Sequence, residues 1–380
     1  MGMDKKKQER KQLKSLYCEL RRATKHLIGY TISKGFDYSP LFRFLEFPIN
    51  NIGDPYSDPS YLRVNTLHVE KMVVDRLAEL FHAPKNGYWG YVTNGGTEGN
   101  LHGLYVAREL YPNGVVFLSD QTHYSAMKNI HLLRMPFVMV KSLSNGEIDY
   151  AALQEALEAN EKGPPIIFAN IGTTMRGAID DLTQIRSILS HLKIKKYYIH
   201  CDAAFYGMIL PYVPEGLMKP FDFRAGIDSI AISGHKMIGS PIPCGVSITK
   251  KAHIEKIGMP IEYVGIKDTT ISGSRNGVTP LFLWHQLIHL GEKRYGPVVR
   301  NALTKAEKIV HFFNTRGIPA WKNPCSLTIV LPRPSEPLAR KWQLPVQGEQ
   351  CCMIALPRLP QTDIDRFQKE FVADYKRRNK

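Results

Sequence analysis

Hydrophobic and polar positions along the chain predict strands and helices in turn. Short runs rich in β-branched and aromatic residues predict seven strands, at residues 90–92, 115–118, 137–140, 166–171, 197–201, 229–233 and 245–248. Apolar residues at helical spacing fill most of the intervals and predict an earlier helix over residues 67–81. This alternation indicates an α/β fold, with a mainly parallel sheet and helices on both faces. Ligands of such sheets bind at the carboxyl ends of the strands.

The two ends of the chain depart from this alternation. Beyond residue 290 the pattern predicts a smaller C-terminal α+β domain, with a helix over 298–315, strands at 326–331 and 352–356, and a last helix from 362. Residues 35–61 are rich in Pro, Gly, Asn and Asp, which is typical of a long surface loop. We therefore expect an N-terminal segment over residues 1–60, a large domain over 61–290 and a small domain over 291–380.

The N-terminal segment begins with an amphipathic helical pattern. Its narrow apolar stripe recurs at helical spacing, at Leu13, Leu16, Tyr17, Leu20, Thr24 and Leu27. Such a stripe must pack on another surface, and a neighbouring subunit is the natural candidate. We therefore expect a homodimer or a higher homo-oligomer.

Composition and charge exclude several classes of protein. The 380 residues are 43% hydrophobic and 22% charged, near the averages of soluble globular chains, and no apolar run approaches the roughly 18 residues of a membrane span. The net charge of +15 lies mostly at the ends, since residues 1–25 carry +6 and residues 366–380 carry +4. The middle shows no basic stripe interleaved with aromatic residues. We expect no nucleic-acid partner and no membrane segment.

Cysteine spacing and the start of the chain bear on the compartment. The six cysteines show no C-x-x-C pair and no zinc-finger spacing, so we expect reduced thiols and no structural metal. The charged start has no apolar stretch of a signal peptide behind it. Both features favour a cytoplasmic location.

The first candidate for chemistry is the turn over residues 93–100, TNGGTEGN, which follows a predicted strand and opens a helix running to Leu110. Gly95 and Gly96 let the backbone approach a ligand, and the free N–H groups at a helix start bind anions. The turn lacks both the P-loop lysine and the dinucleotide fingerprint. A plain structural turn would explain it about equally well if it stood alone.

Three further strand ends each offer a functional group: His123, Asp202 and Lys236. Each has a simpler explanation, respectively a surface histidine, a helix N-cap and an exposed lysine. Together with the glycine turn they supply an anion site, a side chain to stack on a ring, a carboxylate for a pyridinium nitrogen and an amine for an aldehyde. These are the parts of a pyridoxal 5'-phosphate site.

Five segments then resemble the group II pyridoxal-dependent amino-acid decarboxylases: residues 93–100, 119–125, 171–181, 200–204 and 233–245, the last three reading IGTTMRGAIDD, HCDAA and SGHKMIGSPIPCG. Within the group the chain is most similar to bacterial histidine decarboxylases, with plant-type serine decarboxylases as close relatives. The resemblance runs from about residue 35 to the C-terminus. It implies the type I, aspartate-aminotransferase-like fold, a dimer with active sites at the interface, and loss of the substrate carboxylate as carbon dioxide.

The resemblance assigns roles residue by residue. Lys236 would be the Schiff-base lysine, His123 would stack on the pyridine ring near the substrate, and Asp202 would pair with the ring nitrogen. Ala204 would pack on the ring face opposite His123, and Thr173 would lie close to the ring hydroxyl. The phosphate would be held by Gly96, Thr97, Ser233 and His235.

Catalytic, substrate and subunit contacts follow from the same resemblance. Tyr263 resembles the mobile-loop tyrosine that protonates Cα after carbon dioxide leaves. Tyr61 and Asn65 would offer polar groups to the substrate side chain. The neighbouring subunit would be contacted, close to its phosphate site, by Ser272, Ser274 and Arg275.

Departures from the family pattern concern the substrate. Val278 stands where the relatives carry a histidine after Ser-Arg-Asn-Gly, and Cys351 with Cys352 replaces Ala-His. Phe205 and Tyr206 make the wall after Asp-Ala-Ala bulky. We predict L-histidine as the substrate and histamine as the product. L-serine or another small or polar amino acid is the alternative, and behind it stands an aldolase-type or transaminating reaction.

Two other function classes stay open at this point. Residues 233–236 also fit the S-x-x-K motif of penicillin-recognising acyl transferases, although their S-D-N and K-T-G partners are missing. A binding role through the basic tails would need no cofactor. A yellow protein that borohydride bleaches would support the pyridoxal enzyme and neither of the others.

Overall fold

The computed structural model describes residues 2–56, 61–214, 216–218, 220–262 and 266–379. Within these ranges the β-strands are β1 Asn50–Ile52, β2 Tyr88–Thr93, β3 Val115–Ser119, β4 Phe137–Val140, β5 Pro165–Asn170, β6 Tyr198–Asp202, β7 Ser229–Ser233, β8 Gly245–Lys250, β9 Met259–Ile261, β10 Ile266–Asp268, β11 Ser274–Asn276, β12 Thr328–Pro332, β13 Val346–Gln347 and β14 Gln350–Ile354. The α-helices are α1 Gly2–Thr24, α2 Leu67–Leu80, α3 Gly96–Leu110, α4 Ser125–Leu133, α5 Tyr150–Glu158, α6 Leu182–His191, α7 Lys251–Ile254, α8 Thr279–Asn314, α9 Glu336–Trp342 and α10 Gln361–Arg378. The backbone of α8 leaves helical geometry at Gly291, so α8 consists of two helical segments.

The central sheet has seven strands in the order β2-β8-β7-β6-β5-β3-β4. β3 to β7 run parallel to one another, and β8 is antiparallel to both β2 and β7. These are the seven predicted strands, each within two residues of its expected ends, and the mainly parallel α/β fold is confirmed. Because two antiparallel pairings restore the direction, the carboxyl end of β2 lies at the same edge of the sheet as that of β7.

Burial explains why the inner strands are continuous apolar runs. β3, β5, β6 and β7 are buried at every position, as expected for parallel strands covered on both faces. The helices α3 and α4 cover part of the sheet through an apolar cluster that includes Leu104, Val116, Leu118, Ile130 and Phe168. This packing fixes the strand ends to which the candidate residues belong.

The described part of the predicted loop, residues 35–56, contains regular structure. A 3-10 helix covers Ser39–Glu46, and β1 pairs antiparallel with β11 through Asn51 and Arg275. A second short pair joins β9 and β10. The sequence pattern predicted none of these strands, because three-residue strands carry almost no periodicity and β1 meets its partner only in the folded chain.

The described chain separates into two compact units. The small unit contains residues up to Thr31, residues 302–322 and residues from 327 onward, and the large unit contains residues 32–301 and 323–326. These units differ from the expected division at residues 60 and 290, which stays a prediction. In the small unit the backbone N–H of Ile354 donates to Ile28, which ties the start of the chain to β14. None of the described helices is both long and apolar enough to cross a membrane.

The small unit has its own core. Its three strands form an antiparallel sheet in the order β12-β14-β13, and the predicted strand pair and last helix are present. Aromatic rings fill the space beside the sheet, with centroids 5.3–6.2 Å apart among Phe313, Trp342, Phe367 and Phe371. Cys351 and Cys352 lie on β14 and are buried.

Candidate active site

The glycine turn after β2 brings the start of α3 against the end of β7. Gly95 has a φ of +150°, a conformation that side chains disfavour, and α3 begins at the next residue. A Cβ atom at Gly96 would lie 2.5 Å from the Ser233 hydroxyl oxygen and 3.6 Å from the Cβ of Ala204. The absent side chain therefore leaves space where backbone N–H groups, a helix dipole and a hydroxyl converge, as an anion site requires.

Asp202 ends β6 and is held from two sides. Its side chain is 9% exposed, with Oδ1 accepting from the backbone N–H of Ala204 at 3.1 Å and Oδ2 accepting from Asn100 Nδ2 at 2.8 Å. It does not cap a helix, because the following 3-10 helix starts at Tyr206 and its N-cap is Phe205. The N-cap alternative for Asp202 is therefore wrong.

Lys236 lies in the turn after β7, and a segment from the N-terminal loop covers it. The backbone N–H of Ser33 donates to the Lys236 carbonyl at 3.1 Å, and the Tyr38 hydroxyl donates to the Gly239 carbonyl at 2.6 Å. Burial lowers the pKa of the Lys236 ammonium, and the nearby Asp202 carboxylate acts in the opposite direction. Lowering that pKa raises the fraction of neutral amine available to attack a carbonyl carbon.

His123 follows β3 and faces the same region. Its Nδ1 lies 2.7 Å from the Ser125 hydroxyl, which fixes the ring orientation. Burial lowers the pKa of His123, the Asp202 carboxylate opposes this, and the Lys236 charge lowers it further. His123 and Lys236, whose pKa values are both lowered, thus lie within electrostatic reach of Asp202, and groups with perturbed pKa values are typical of functional sites.

Gly96, His123, Asp202, Ser233 and Lys236 form what we call the sheet-end cluster. All five stand at or just after the carboxyl ends of the central strands. Each belongs to a different turn or strand end except Ser233 and Lys236, which share one. The structure therefore brings together the residues that the sequence singled out at separate strand ends.

Four other residues are expected to contact the cofactor: Thr97, Ala204, His235 and Thr173. The Thr97 side chain is exposed in the first turn of α3, and the Ala204 carbonyl accepts from the backbone N–H of Ser233 at 3.0 Å. His235 Nδ1 lies 2.9 Å from the Cys244 carbonyl. Thr173 is buried in the turn after β5, where its hydroxyl accepts from the backbone N–H of Ala178 at 3.0 Å.

Arg275 is buried inside its own chain, at 4% exposure. Its guanidinium pairs with Glu70, donates to the Gly53 carbonyl at 2.6 Å and lies over the Tyr91 ring. Glu70 also accepts from the backbone N–H of Val92 at 2.8 Å. The charge of Arg275 therefore holds β1, β2 and β11 together within this chain, and its expected contact with a neighbouring subunit stays a prediction.

We call Glu70, Arg275, Asn51 and Thr66 the edge clamp. Asn51 Nδ2 donates to Glu70 Oε2 at 2.7 Å, and its Oδ1 accepts from the backbone N–H of Thr66 at 2.8 Å. The Thr66 hydroxyl in turn donates to the Gly277 carbonyl at 2.6 Å. The edge clamp thereby fixes the segments that flank Asn65 and Val278.

The remaining expected site residues are less constrained. Tyr61 is 77% exposed, and Asn65 uses its side chain within its own turn, donating to the Leu62 carbonyl at 2.5 Å and accepting from the backbone N–H of Leu67. Ser272 contacts Asn94 at 3.2 Å, and Ser274 accepts from Asn50 at 3.1 Å. Their substrate and subunit roles stay predictions. Tyr263 lies outside the described residues.

Two side chains behind Asp202 were not assigned a role from the sequence. Asn100 on α3 and His200 on β6 are both buried; Asn100 donates to Asp202, and His200 bonds Asn100. A signal for His200 was present, because residues two apart on a strand share a face of the sheet. Asn100 carried no such signal, since its distance from Asp202 depends on how α3 packs.

The donor set fits pyridoxal phosphate. The space beside Gly96 suits a phosphate, Asp202 retains lone pairs for a protonated ring nitrogen, and Lys236 offers an amine with a lowered pKa. His123 supplies a flat side chain for ring stacking, and Ala204 leaves room on the side of Gly96.

Comparison with known proteins agrees with this geometry. The family model of the pyridoxal-dependent decarboxylase conserved domain matches residues 65–316. Histidine decarboxylase of Pseudomonas entomophila is 45% identical over 92% of this chain and 86% of its own length, and that of Acinetobacter baumannii is 47% identical over 86% and 85%. Among solved structures, L-methionine decarboxylase from Streptomyces sp. 590 superposes with a TM-score of 0.86 at 26% identity, covering 95% of this chain and 94% of that one.

The three findings point to the same family, and the region that the family model matches contains the whole sheet-end cluster. The chain is an enzyme that decarboxylates an amino acid with pyridoxal phosphate as cofactor, and it belongs to the pyridoxal-dependent decarboxylases.

Proposed function

We propose that this enzyme converts L-histidine to histamine and carbon dioxide. The observation that carries the proposal is the identity of 45–47% to proteins named histidine decarboxylase, over at least 86% of this chain. The methionine enzyme with the same fold is only 26% identical. Decarboxylation of L-serine or another small or polar amino acid is the second candidate, favoured by the loss of a polar side chain at Val278.

We assign cofactor binding to the sheet-end cluster and its neighbours. Gly96, Thr97, Ser233 and His235 would hold the phosphate at the start of α3, where the helix dipole favours an anion. Lys236 Nζ would bond the aldehyde carbon of the cofactor. The hydroxyl of Thr173, at the end of the neighbouring strand β5, would lie near the ring hydroxyl.

We assign control of the ring to three residues. His123 would stack on one face and Ala204 on the other, so that the ring stays fixed while the substrate changes. Asp202 would keep a proton on the ring nitrogen, because a carboxylate at that position favours the charged form. When bound, pyridoxal phosphate supplies the ring that accepts the electron pair of the broken Cα–carboxylate bond.

We assign the later proton transfer and substrate recognition to three further residues. We assign Tyr263 as the group that delivers a proton to the substrate Cα once carbon dioxide has left. Tyr61 and Asn65 would present polar groups to the imidazole. Asn65 keeps one N–H and one lone pair for this role, because each end of its amide makes a single local hydrogen bond.

Assembly as a homodimer is part of the proposal. The apolar stripe of α1 is at least half exposed in this chain at Leu13, Leu16, Tyr17 and Leu20. An exposed stripe of this length favours burial against a second copy. Ser272, Ser274 and Arg275 would contact the neighbouring subunit close to its phosphate site. Light scattering of the active protein tests this, since a monomer with full activity would refute it. A cytoplasmic location stays a prediction.

A panel of carboxyl-labelled amino acids tests the substrate. We expect the holoenzyme to release labelled carbon dioxide from histidine far faster than from leucine or phenylalanine, because a site that hydrogen-bonds a polar group rejects analogues lacking it. Faster release from serine or any other amino acid than from histidine would overturn the choice of substrate.

A further inference from the structure

A chain of buried side chains runs behind Asp202. The Asn100 amide donates to Asp202 Oδ2 at 2.8 Å, and Asn100 Oδ1 lies 2.9 Å from His200 Nε2. His200 Nδ1 lies 2.7 Å from the Ser229 hydroxyl. Asn100, His200 and Ser229 are all 98% or more buried, so solvent does not compete for these contacts.

The charge of Asp202 sets the direction of every hydrogen bond in this chain. A carboxylate only accepts, so the Asn100 amide must donate to it and present its oxygen to His200. Burial lowers the pKa of His200 to about 3, so the imidazole is neutral at pH 7 and has a single N–H. That proton must lie on Nε2 to serve Asn100, which leaves Nδ1 to accept from Ser229.

Helix α3 packs closely against the His200 ring. A Cβ atom at Gly103 of α3 would lie 2.2 Å from His200 Nδ1, so glycine alone lets the helix approach the ring this closely. Phe168 packs on the same ring, with centroids 5.1 Å apart. The imidazole therefore has one available position, and its N–H points at Asn100.

We propose that Asn100 and His200 are positioning residues that hold the Asp202 carboxylate for the cofactor's ring nitrogen. The amide between imidazole and carboxylate supplies a hydrogen bond without a second positive charge. The relay therefore adds no positive charge beside Asp202, and it fixes the orientation of the carboxylate toward the ring. This inference rests on the proposed role of Asp202 at the ring nitrogen.

The experiment titrates the apoprotein with pyridoxal phosphate. In His200→Leu the amide of Asn100 loses its fixed orientation, and we expect roughly tenfold to hundredfold weaker cofactor binding, as for loss of a hydrogen bond to a charged group. His200→Gln keeps an N–H toward Asn100 and is expected within about threefold of the native affinity. Asn100→Leu should weaken binding as much as His200→Leu, and the double variant no further, because the residues act in series.

His102 provides a matched control on α3. It is equally buried, bonds the Ser247 hydroxyl at 3.0 Å through Nδ1 and the Thr269 carbonyl through Nε2, and has no bond to Asp202. We expect His102→Leu to lower thermal stability while leaving cofactor affinity within about twofold of native. Equal losses of affinity in His102→Leu and His200→Leu, or native affinity in His200→Leu, would overturn the positioning role.

A second measurement tests the inference without variants, in case His200→Leu does not fold. In native apoprotein with ¹⁵N-labelled histidine, we expect His200 to be neutral at pH 7 with its proton on Nε2. A proton on Nδ1, or a charged ring, would overturn the relay. Neither experiment uses substrate. A native protein that binds cofactor but releases no carbon dioxide from histidine would refute the proposed function and leave this inference standing.

Discussion

The sheet-end cluster and the edge clamp are ordered in different ways. The sheet-end cluster consists of strand ends whose positions follow from a seven-stranded sheet, and each residue needs only its own strand and turn to reach its place. The edge clamp joins residues from β1, α2 and β11 through one buried ion pair, Glu70 with Arg275. β1 and β11 have only three residues each, so we expect these strands to be weakly held without that ion pair.

This difference separates catalysis from substrate choice. The groups that we assign to cofactor binding belong to the sheet-end cluster, and regular strands and helices fix their positions. The edge clamp fixes the backbone beside Asn65 and Val278, which we assign to substrate recognition. Changes in the first region should therefore abolish the reaction, whereas changes in the second should alter stability and specificity.

The largest effect is expected at Lys236. Lys236→Ala removes the amine that holds the cofactor, so carbon dioxide release from every amino acid should fall to background, at least a thousandfold below native. Lys250→Ala, at the far end of β8, is the control and should retain native turnover. Turnover by Lys236→Ala within tenfold of native would remove the sheet-end cluster from the reaction.

The next largest effect is expected at Glu70. Glu70→Gln leaves the buried Arg275 guanidinium without a counter-charge, which costs about 3–5 kcal/mol of unfolding free energy. We expect KM for histidine to rise while cofactor affinity changes little, because the edge clamp does not touch the sheet-end cluster. Denaturant unfolding and steady-state kinetics measure the two effects.

Glu79→Gln is the control on the same helix. Glu79 pairs with Arg76 at 2.7 Å on the surface, and such pairs contribute at most about 1 kcal/mol. If the Glu70→Gln variant were as stable as the Glu79→Gln variant, the edge clamp would not stabilise the folded chain.

The same difference explains how much the sequence alone predicted. All seven central strands, α3 and the groups at their ends follow from periodicity and from turn residues, and the site follows because parallel strands share one edge. The edge clamp was not predicted, because nothing local shows that Arg275 meets a glutamate 205 positions away. Asn100 was missed for the same reason, since its role depends on a helix packing on a strand.

Acid should destabilise the folded chain through two buried histidines, His200 behind the sheet-end cluster and His102 on α3. Burial lowers the pKa of His102, which bonds the segment before β11, to about 4, and that of His200 to about 3. The unfolded chain binds a proton at each below about pH 6.5, whereas the folded chain binds them only below about pH 4 at His102 and pH 3 at His200. Stability is therefore complete above pH 6.5 and falls with decreasing pH, by about 1.4 kcal/mol per pH unit for each histidine.

His102→Gln isolates one of these two contributions. Between pH 7 and pH 5 the variant should lose about 2 kcal/mol less unfolding free energy than the native apoprotein, as measured by denaturant unfolding at both pH values. An equal loss in the two proteins would mean that His102 is protonated in the folded chain.

The smallest effect is expected at Val278, next to the edge clamp. Val278→His introduces a polar ring immediately before α8. One added hydrogen bond to the substrate should raise kcat/KM for histidine roughly twofold to tenfold. Val278→Phe supplies a ring without hydrogen bonding and should not improve it. An equal gain for serine, or a gain in Val278→Phe, would show that Val278 does not govern the choice of substrate.

The central claim is that the sheet-end cluster binds the cofactor through Lys236. Borohydride reduction of the holoenzyme followed by peptide mass mapping tests it most directly, because reduction fixes the cofactor to the amine that holds it. We predict one pyridoxyl group per chain, on the peptide that contains Lys236, together with loss of the yellow colour. A pyridoxyl group on another lysine, or none on a protein that still releases carbon dioxide from amino acids, would contradict the account.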